Sequence, residues 1–466
     1  MRKSAALLGL LAAGCMSMQP TYVRPDPAIP PSWPQGDAYL RQTEAALPAV
    51  TYRDIFRDPR LQALIEQALV NNRDLAVAAA NIAAAREQVR IQRAQQLPQL
   101  DAGVSADVTG AGSDTSARHQ AGLSVPSFEV DLFGRLRSLT DVQRNRYFAT
   151  EAATRTTRLA LVADIATAWL NHAADASLLG IAEDTVASAD KSVRLTRARL
   201  EGGIAPRTDL RQAEQILEGA KADAADQRTA LAQDVNLLRL LVGAEIDPKL
   251  LPASIDQAAP TVAELPAGLD SLVLLRRPDV VEAEYQLRAA NAQIGAARAA
   301  LFPRISLTGL LGLASTALSG LFSGSFAWSA GTDATYTIFQ AGAGRANVRL
   351  TEAQRNAAVA TYQRTIQQAF REVADALARR GTIGEQLRAR QAQREAAADT
   401  YLLTEARYRN GIESFLGSLD AQRSYYAAQR TLVLSRLETA TNLVELYRSL
   451  GGDSLLTTES LPRERQ

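Results

Sequence analysis

The residue types that most often carry chemistry are scarce in this chain of 466 residues. It has two histidines, His119 and His172, which lie far apart in the sequence, and one cysteine, Cys15. No spacing typical of a metal site is present. No histidine or cysteine pairs with a nucleophilic serine in a pattern that supports acyl transfer. We therefore predict a protein that is not an enzyme and that needs no cofactor.

One glycine-rich segment resembles a nucleotide-binding loop. The segment QAGAGRAN places Gly342 and Gly344 between a predicted strand and a predicted helix. However, Asn347 stands where the third glycine is needed, and no second strand returns within about 30 residues. The chain has no GxxxxGK[ST] loop either. We expect these glycines to ease a bend, and any transport to be driven by partner proteins.

The composition narrows the class of protein further. The chain has 51 basic and 50 acidic residues, so we predict no nucleic-acid partner. Aromatic residues make up only 5% of the chain, which suits long helices over modest cores. Beyond the first residues, no run of about 18 apolar residues predicts a transmembrane helix.

A glycine turn occurs twice. RLEGGIAPRTDLRQAE (199–214) and RYRNGIESFLGSLDAQR (407–423) are about 208 residues apart. In each segment one glycine, Gly203 or Gly411, can take the left-handed conformation that ends a helix. Proline, threonine or serine can then start the next helix. These turns are predicted to join two very long helices to two returning helices.

The turns belong to a duplicated unit. Residues 71–100 align with residues 276–305, and VDLFGR later matches YTIFQAG. Such repeats indicate duplicated supersecondary structure. We predict a signal peptide (1–14), a lipidated Pro-rich segment (15–58), a first repeat (59–250), a linker (251–267), a second repeat (268–452) and a C-terminal tail (453–466). Each repeat contains a helix, two strands, a helix of roughly 60 residues, a tip (200–208 or 408–414) and a returning helix.

Each repeat contains two short stretches that alternate between apolar and polar residues, which indicates strands. The predicted strands are 101–110, 119–132, 304–314 and 325–338, which leaves His119 at the turn of the first hairpin. Strands of about 10 residues with one apolar face suit a membrane barrel. Four strands cannot close a barrel, so three chains would share one of twelve strands. The alternative is two hairpins that cap a soluble helical domain.

The N-terminus carries a targeting signal. Met1-Arg2-Lys3 precedes a short apolar stretch that ends at Gly14-Cys15. Small residues directly before a cysteine resemble a bacterial lipobox, after which Cys15 would be the lipidated first residue. Met16 in place of aspartate favours the outer membrane, by resemblance to bacterial lipoprotein sorting. The alternative is an ordinary signal peptide with an incidental cysteine.

Nearly the whole chain resembles the outer-membrane factors of bacterial efflux and type I secretion systems, the TolC-like and OprM/NodT-like channels. The motifs are the lipobox, YVRPDPAIPPSW, FEVDLFGR, RYRNGIESFLGSLDAQRS and ELYRSLGGD. The resemblance implies an α+β membrane protein: a trimeric 12-stranded β-barrel with four strands per chain, continued by a long α-helical barrel, internally duplicated. It also implies a homotrimer that is lipid-anchored in the outer membrane and extends into the periplasm.

The function that this resemblance implies is the passive exit duct of a tripartite pump that exports drugs or small molecules. Its partners would be a periplasmic adaptor protein and an inner-membrane transporter, most simply of the RND type, with outer-membrane lipid around the barrel. Two alternatives remain open. One is a channel of the same fold for type I protein secretion. The other is a periplasmic helical scaffold lipoprotein without a pore.

Residues of the periplasmic mouth follow from the same resemblance. Leu416 and Asp420 are four residues apart and share a helix face, which lines the constriction in related channels. In the family, a tyrosine at the position of Tyr408 bonds the aspartate of the first tip, here Asp209. We also expect Arg423 to pair with Asp420. The resemblance makes the tips at Gly203 and Gly411 the contacts for the adaptor.

Overall fold

The computed structural model describes residues 17–27, 29–30, 51–112, 114–264, 271–323 and 325–452. The predicted signal peptide (1–14), the lipidation site Cys15 and the C-terminal tail (453–466) lie outside the described residues. So do much of the Pro-rich segment and part of the linker. The contacts divide the chain into two compact units. Unit one comprises residues 1–27, 79–153 and 281–365, and unit two comprises residues 28–78, 154–280 and 366–466.

The order helix, strand, strand, long helix, returning helix occurs twice, preceded by two further helices in the first set and by one in the second. The first set is α1 (Tyr52–Ile55), α2 (Pro59–Asn71), α3 (Arg73–Ala94), β1 (Asp101–Ala111), β2 (Asp114–Glu129), α4 (Arg135–Glu201) and α5 (Arg207–Val242). The second set is α6 (Ile255–Ala258), α7 (Pro278–Ala299), β3 (Arg304–Ser315), β4 (Ser325–Thr335), α8 (Ala343–Arg409) and α9 (Phe415–Ser449). Helices α4 and α8 each have 67 residues. No helix of the described residues is both long enough and apolar enough to span a membrane.

Unit one contains a four-stranded antiparallel sheet in the order β1-β2-β3-β4. Strands β1 and β4 are its two edges. The register between β2 and β3 shifts between Val125 and Phe128, next to Pro126, which has no backbone N–H to donate. The prediction that β2 begins at residue 119 is wrong. Gly112, at a φ of 65°, makes the turn, so His119 lies inside β2 opposite Ala106 and Ser315.

The two faces of this sheet differ in polarity. Residues that pair across the strands share a face. One face is polar, with Asp101, Ser105, Asp107, Gln120, Arg304 and Asp333. The opposite face is apolar and exposed, with Val104, Leu123, Leu311, Phe326 and Trp328. An exposed apolar face that extends across four strands is typical of a surface that contacts lipid or protein.

The middle of the sheet depends on a pair of glycines on the polar face. Gly122 in β2 lies directly opposite Gly312 in β3. A Cβ on Gly312 would lie 2.7 Å from Cα of Gly122, and it would also collide with the carbonyl oxygen of Ala121. These obstacles are backbone atoms and cannot rotate away. The two strands therefore approach as closely as they do because neither residue has a side chain.

An N-terminal strap, residues 17–27, packs against α7 in unit one. Its centre is the carboxylate of Glu284, which is only 5% exposed. Arg24 and Arg288 donate hydrogen bonds to this carboxylate, and the hydroxyl of Tyr22 lies 3.3 Å from it. Burial alone would raise the pKa of Glu284, but the two arginines outweigh it and lower that pKa. Burial and the same carboxylate raise the pKa of Tyr22 to about 12.

The strap also depends on one glycine of α7. A Cβ on Gly295 would lie 2.9 Å from Cα of Gln19. Nearby, the side-chain amide of Asn291 donates to the carbonyl oxygen of Pro20 at 2.8 Å. The strap is therefore held against α7 by an ion pair, by the hydrogen bond to the carbonyl oxygen of Pro20 and by the close approach of Gln19 to Gly295.

Unit two is a helical core of closely packed side chains. Phe56 and Tyr447 make an edge-to-face ring contact at 5.3 Å, and both are buried. The indole nitrogen of the buried Trp169 donates to the carbonyl oxygen of Leu250 at 3.0 Å. Helix α5 ends at Gly243, which has a φ of 72°. These contacts place apolar surface away from water and pair the polar groups that are buried with it.

A buried arginine joins three segments of unit two. Arg277 is 7% exposed. Its guanidinium donates to Asp279 at 3.0 Å, to Glu372 at 2.8 Å and to the carbonyl oxygen of Ser449 at 2.6 Å. The start of α7 is thereby tied to α8 and to the end of α9. Because the guanidinium is buried, removing its carboxylate partners would leave a buried charge uncompensated and would weaken the junction of these three segments.

Candidate functional site

The two glycine tips of unit two have the same backbone geometry. The φ values are 72° at Gly203 and 74° at Gly411. In each tip the glycine N–H donates to the carbonyl three residues earlier, and the next N–H donates to the carbonyl five residues before it. This is the Schellman pattern, which satisfies the last carbonyls of a helix. No atom lies within 4 Å of a Cβ built on either glycine, so the conformation and not crowding requires glycine.

One arginine links the first tip to the second. Arg199, near the end of α4, donates to the carbonyl oxygens of Tyr408 at 3.2 Å and Arg409 at 3.1 Å. Its guanidinium also stacks 4.4 Å from the ring centroid of Tyr408. A cation at the C-terminal end of α8 is favourable because the last carbonyls of a helix are partly negative. The sequence did not predict this role of Arg199, although Arg199 and Arg407 occupy equivalent positions in the two tips.

An apolar cluster packs behind the tips. Tyr408 and Phe415 have ring centroids 5.2 Å apart, and both are buried. The cluster is completed by residues of α4, α5 and α9: Ala189, Val193, Leu210, Ala213, Leu217 and Leu419. The four helices are thus packed together next to the tips, which fixes the position of the side chains on α9.

The predicted gate residues lie on the exposed face of α9. Phe415 and Leu419 are buried at 5% and 2%, whereas Leu416 between them is 61% exposed. Asp420, four residues beyond Leu416, is exposed as well. The expected ion pair between Asp420 and Arg423 is not formed in the described part of the chain. Both side chains are exposed, where water screens such a pair and it contributes little.

The predicted bond between Tyr408 and Asp209 is not formed within this chain. The hydroxyl of Tyr408 is buried and has no hydrogen-bond partner among the described residues. Its ring is held instead between Arg199 and Phe415. Asp209 lies in the first turn of α5 and is partly exposed. A contact between these residues in an assembly of several chains stays a prediction.

Other polar contacts, unanticipated from the sequence, join the two repeats further along the helices. Tyr426 of α9 donates to Asp223 of α5 at 2.7 Å, and Tyr401 of α8 lies 2.9 Å from the hydroxyl of Ser188 on α4. Burial and the bond to Asp223 raise the pKa of Tyr426 to about 12. Four helices are therefore cross-linked by hydrogen bonds as well as by the apolar cluster.

We expect Arg199→Ala to loosen the second tip. Charge-assisted hydrogen bonds contribute about 1.5–3 kcal/mol each, and Arg199 makes two to the end of α8. Amide hydrogen exchange of residues 409–412 should accelerate by roughly tenfold or more. Arg199→Lys should restore little, because an ammonium cannot donate to both carbonyls while it stacks on a ring. Arg197→Ala is the control, since Arg197 pairs only at the surface with Glu214. Unchanged exchange in Arg199→Ala would contradict the assignment.

A pair of carboxyl groups is half-buried between α4 and α5. Asp175 and Asp234 face each other, and burial together with the charge of Asp175 raises the pKa of Asp234 to about 7. Burial also raises the pKa of Asp175. Nearby, burial lowers the pKa of His172. Two half-buried carboxyl groups this close disfavour the state in which both are ionised.

This pair predicts a pH dependence of stability. The folded state raises the pKa of Asp234, so its contribution is complete below the unfolded pKa and is lost as the pH rises through about 7. The melting temperature of the helices, followed by circular dichroism, should therefore fall between pH 5.5 and pH 8. Asp234→Asn should reduce that fall, whereas Asp226→Asn, at an exposed position on the same helix, should not. An equal fall in all three proteins would show that the pair is not responsible.

The patterns associated with cofactors do not form sites. Among the described residues, no three side chains of histidine, cysteine, aspartate or glutamate are grouped so that they could hold a metal ion. Gly342 has a φ of 85° and Ala341 has a φ of 48°, so the QAGAGRAN segment is the turn between β4 and α8. Gly344 lets Leu301 approach, since a Cβ there would lie 2.7 Å from its side chain.

Comparison with known proteins identifies the family. The sequence profile described as outer membrane efflux protein matches residues 64–244 and 269–452, which is most of the chain. This chain belongs to the outer membrane efflux protein family. This efflux protein is 42% identical to the solvent efflux pump outer membrane protein SrpC of Pseudomonas putida, over 97% of this chain and 98% of that protein. It is 40% identical to the outer membrane protein OprJ of Pseudomonas aeruginosa, over 97% of each chain.

A solved structure leads to the same conclusion. The efflux protein matches the open state of the MtrE outer membrane channel of Neisseria gonorrhoeae with a TM-score of 0.83 and 34% identity. The match covers 94% of this chain and 98% of that one. The predicted fold class is confirmed: the chain has the fold of the outer-membrane efflux channels, mainly helical with a four-stranded sheet. The predicted function, an outer-membrane channel for efflux, is confirmed too, and this is a family of channels and not of enzymes.

Proposed function

We propose that three copies of this efflux protein share one twelve-stranded barrel and form the exit duct of a tripartite pump. The observation that supports this most directly is the four-stranded sheet with two unpaired edges, β1 and β4, and one exposed apolar face. In a bilayer, unpaired edge groups cost several kcal/mol each, so the edges must pair with other copies. Twelve strands are enough to enclose an open lumen lined by the polar face.

The cargo we propose is small organic molecules, and the driving force comes from partners. Relatives carry names that refer to solvent, toluene and antibiotic efflux. In our proposal a periplasmic adaptor contacts the tips, and an inner-membrane transporter of the RND type supplies the energy. The names of these relatives give no support to the alternatives of type I secretion or a scaffold without a pore. We also propose that Cys15 is lipidated and anchors the chain.

The tips are the surface that we assign to the adaptor. Directly after each glycine comes an exposed isoleucine, Ile204 at 80% and Ile412 at 67% exposure. Gly203 and Gly411 hold these residues at the turn between two helices. Two exposed isoleucines in equivalent positions, one in each tip, suit a partner that binds both repeats in the same way.

We assign the gate to the exposed face of α9. In a trimer, three copies of Leu416 and three copies of Asp420 form two rings about one turn apart. The apolar ring narrows and dewets the pore, and the carboxylate ring favours cations. Because Arg423 does not pair with Asp420 within the described chain, the charge of that ring is not neutralised from the same helix. Asp209, which is partly exposed, and Arg423, which is exposed, are then available to neighbouring copies, whereas Tyr408 is buried within its own chain.

Accumulation of a lipophilic dye in the bacterium tests the proposed role. A strain without this protein should retain the dye, and the wild-type chain should restore export. A variant of the tip glycines, Gly203→Val with Gly411→Val, should reach the membrane but restore export poorly, since valine avoids a positive φ. Equal dye accumulation with and without the wild-type chain would contradict an exit duct for small molecules.

A further inference from the structure

A groove of about 820 Å³ lies at one end of the sheet in unit one. It is bounded by the end of β2, the start of β3 and the segment after β4. Its apolar part is formed by Phe133, Leu301, Phe302, Tyr336, Ile338 and Phe339. The rings of Phe133 and Phe302 stack with centroids 4.6 Å apart and make one wall.

The segment after β4 leaves its apolar side chains in water in a single chain. Tyr336, Ile338 and Phe339 are 57%, 91% and 84% exposed. Covering such side chains removes their apolar surface from water, so an occupant of the groove would be bound by apolar contact. Two of the charged side chains that line the groove already have hydrogen-bond partners within the chain: Arg135 donates two hydrogen bonds to Glu129, of 2.8 Å and 2.7 Å.

The direction of the strands identifies what lies beside this groove in the proposed barrel. Each strand is antiparallel to its neighbour, so β1 and β4 run in opposite directions. The start of β1 and the end of β4 are therefore at the same end of the sheet. When β4 of one copy pairs with β1 of the next, the residues before β1 lie about 5 Å from the residues after β4.

The residues before β1 fit such a groove. Leu97 and Leu100 are 68% and 64% exposed and flank Pro98 in a short segment without regular structure. In a single chain, the exposure of these two leucines and of Ile338 and Phe339 to water is unfavourable. Contact between the leucines of one copy and Ile338 and Phe339 of another would cover both sets of side chains.

We propose that this groove is the receptor for the Leu97–Leu100 segment of a second copy of this chain. The inference rests on the proposed shared barrel. Edge pairing alone allows neighbouring strands to slide in steps of two residues, so a second contact is needed to fix the register between copies, and we call that contact the lock. The leucines, inserted between Phe302 and the Ile338–Phe339 segment, select one register. The groove is then completed only by the neighbouring copy.

Disulfide formation between copies tests this. In a chain with Cys15→Ser the added cysteines are the only ones. Leu97→Cys combined with Phe339→Cys should give a product of three chains on oxidation, and either cysteine alone should not. Ala102→Cys combined with Ala334→Cys or with Thr332→Cys tests edge pairing separately, because all three positions lie on the apolar face of β1 or β4.

Each outcome decides one of the two proposals. Three-chain products from both kinds of pair support the lock. A product from the edge pairs alone would overturn the lock, leave the shared barrel standing, and indicate that lipid acyl chains fill the groove. No product from any pair would overturn the lock and also the pairing of β4 with β1 in both of the registers tested. A disulfide within one chain would overturn the lock, because β1 and β4 are separated by two strands in the described sheet.

Discussion

Gly312→Val is expected to abolish assembly of the channel. The Cβ atom of any other residue at position 312 would collide with the carbonyl oxygen of Ala121 and would lie 2.7 Å from Cα of Gly122. Overpacking costs about 1–3 kcal/mol where side chains can rotate away, and here the obstacles are backbone atoms. Separating β2 from β3 would leave backbone groups unpaired, which is costlier still in a bilayer. The assembled form in the outer membrane, measured as the heat-sensitive oligomer on gels, should fall by more than about tenfold.

Gly103→Val is the matched control for this variant. Gly103 pairs with Gly122, so it lies on the same face of the sheet and in the same row of residues as Gly312. A Cβ there meets no atom within 4 Å. Both variants add a valine side chain to the polar face, but only the one at position 312 collides with backbone atoms of the neighbouring strand. If both assemble normally, the close approach of β2 and β3 is not a requirement of the fold.

The second large effect is expected at the mouth. Leu416→Ala combined with Asp420→Ala removes the apolar ring and the carboxylate ring of the proposed gate. Single-channel conductance in a planar bilayer should rise by at least roughly twofold, because the constriction becomes wider and easier to wet. Asp420→Ala alone should lower the preference for cations over anions, and Leu416→Ala alone should leave that preference in place. Conductance equal to that of the wild type in the double variant would contradict the gate.

The control for the gate lies on the same helix face. Leu434 follows Leu416 by 18 residues, which is five turns of α9 or about 27 Å. It is 52% exposed, compared with 61% for Leu416. Leu434→Ala removes the same atoms from the same face away from the tip and should leave the conductance unchanged. An equal rise in both variants would show that any truncation along α9 widens the tunnel, and that Leu416 has no special position.

The features that the sequence predicted best are those with local causes. Alternation of apolar and polar residues predicted strands near the observed β1, β3 and β4, because side-chain direction in a strand has a period of two. The tips were predicted correctly because each needs a residue with a positive φ, and glycine, here Gly203 or Gly411, is the residue that adopts it most readily. Where local cues were weak, as around Gly112, the start of β2 was placed five residues too late.

The features that the sequence could not predict depend on residues far apart in the chain. Arg199 contacts Tyr408 across 209 positions, and no spacing rule connects an arginine to a carbonyl on another helix. The pairing of Gly122 with Gly312 depends on register between strands of different repeats. The bond between Tyr408 and Asp209, inferred from resemblance, stays a prediction for an assembly of several chains; within this chain the ring of Tyr408 lies between Arg199 and Phe415.

The most direct test of the proposed channel is the number of chains in the protein purified from membranes in detergent. Native mass spectrometry after removal of the detergent gives that number without assumptions about shape. We expect three chains per particle, because three four-stranded sheets are needed to pair every edge in a barrel of twelve strands. A folded particle with one or two chains would contradict it, because one or two sheets supply only four or eight of the twelve strands.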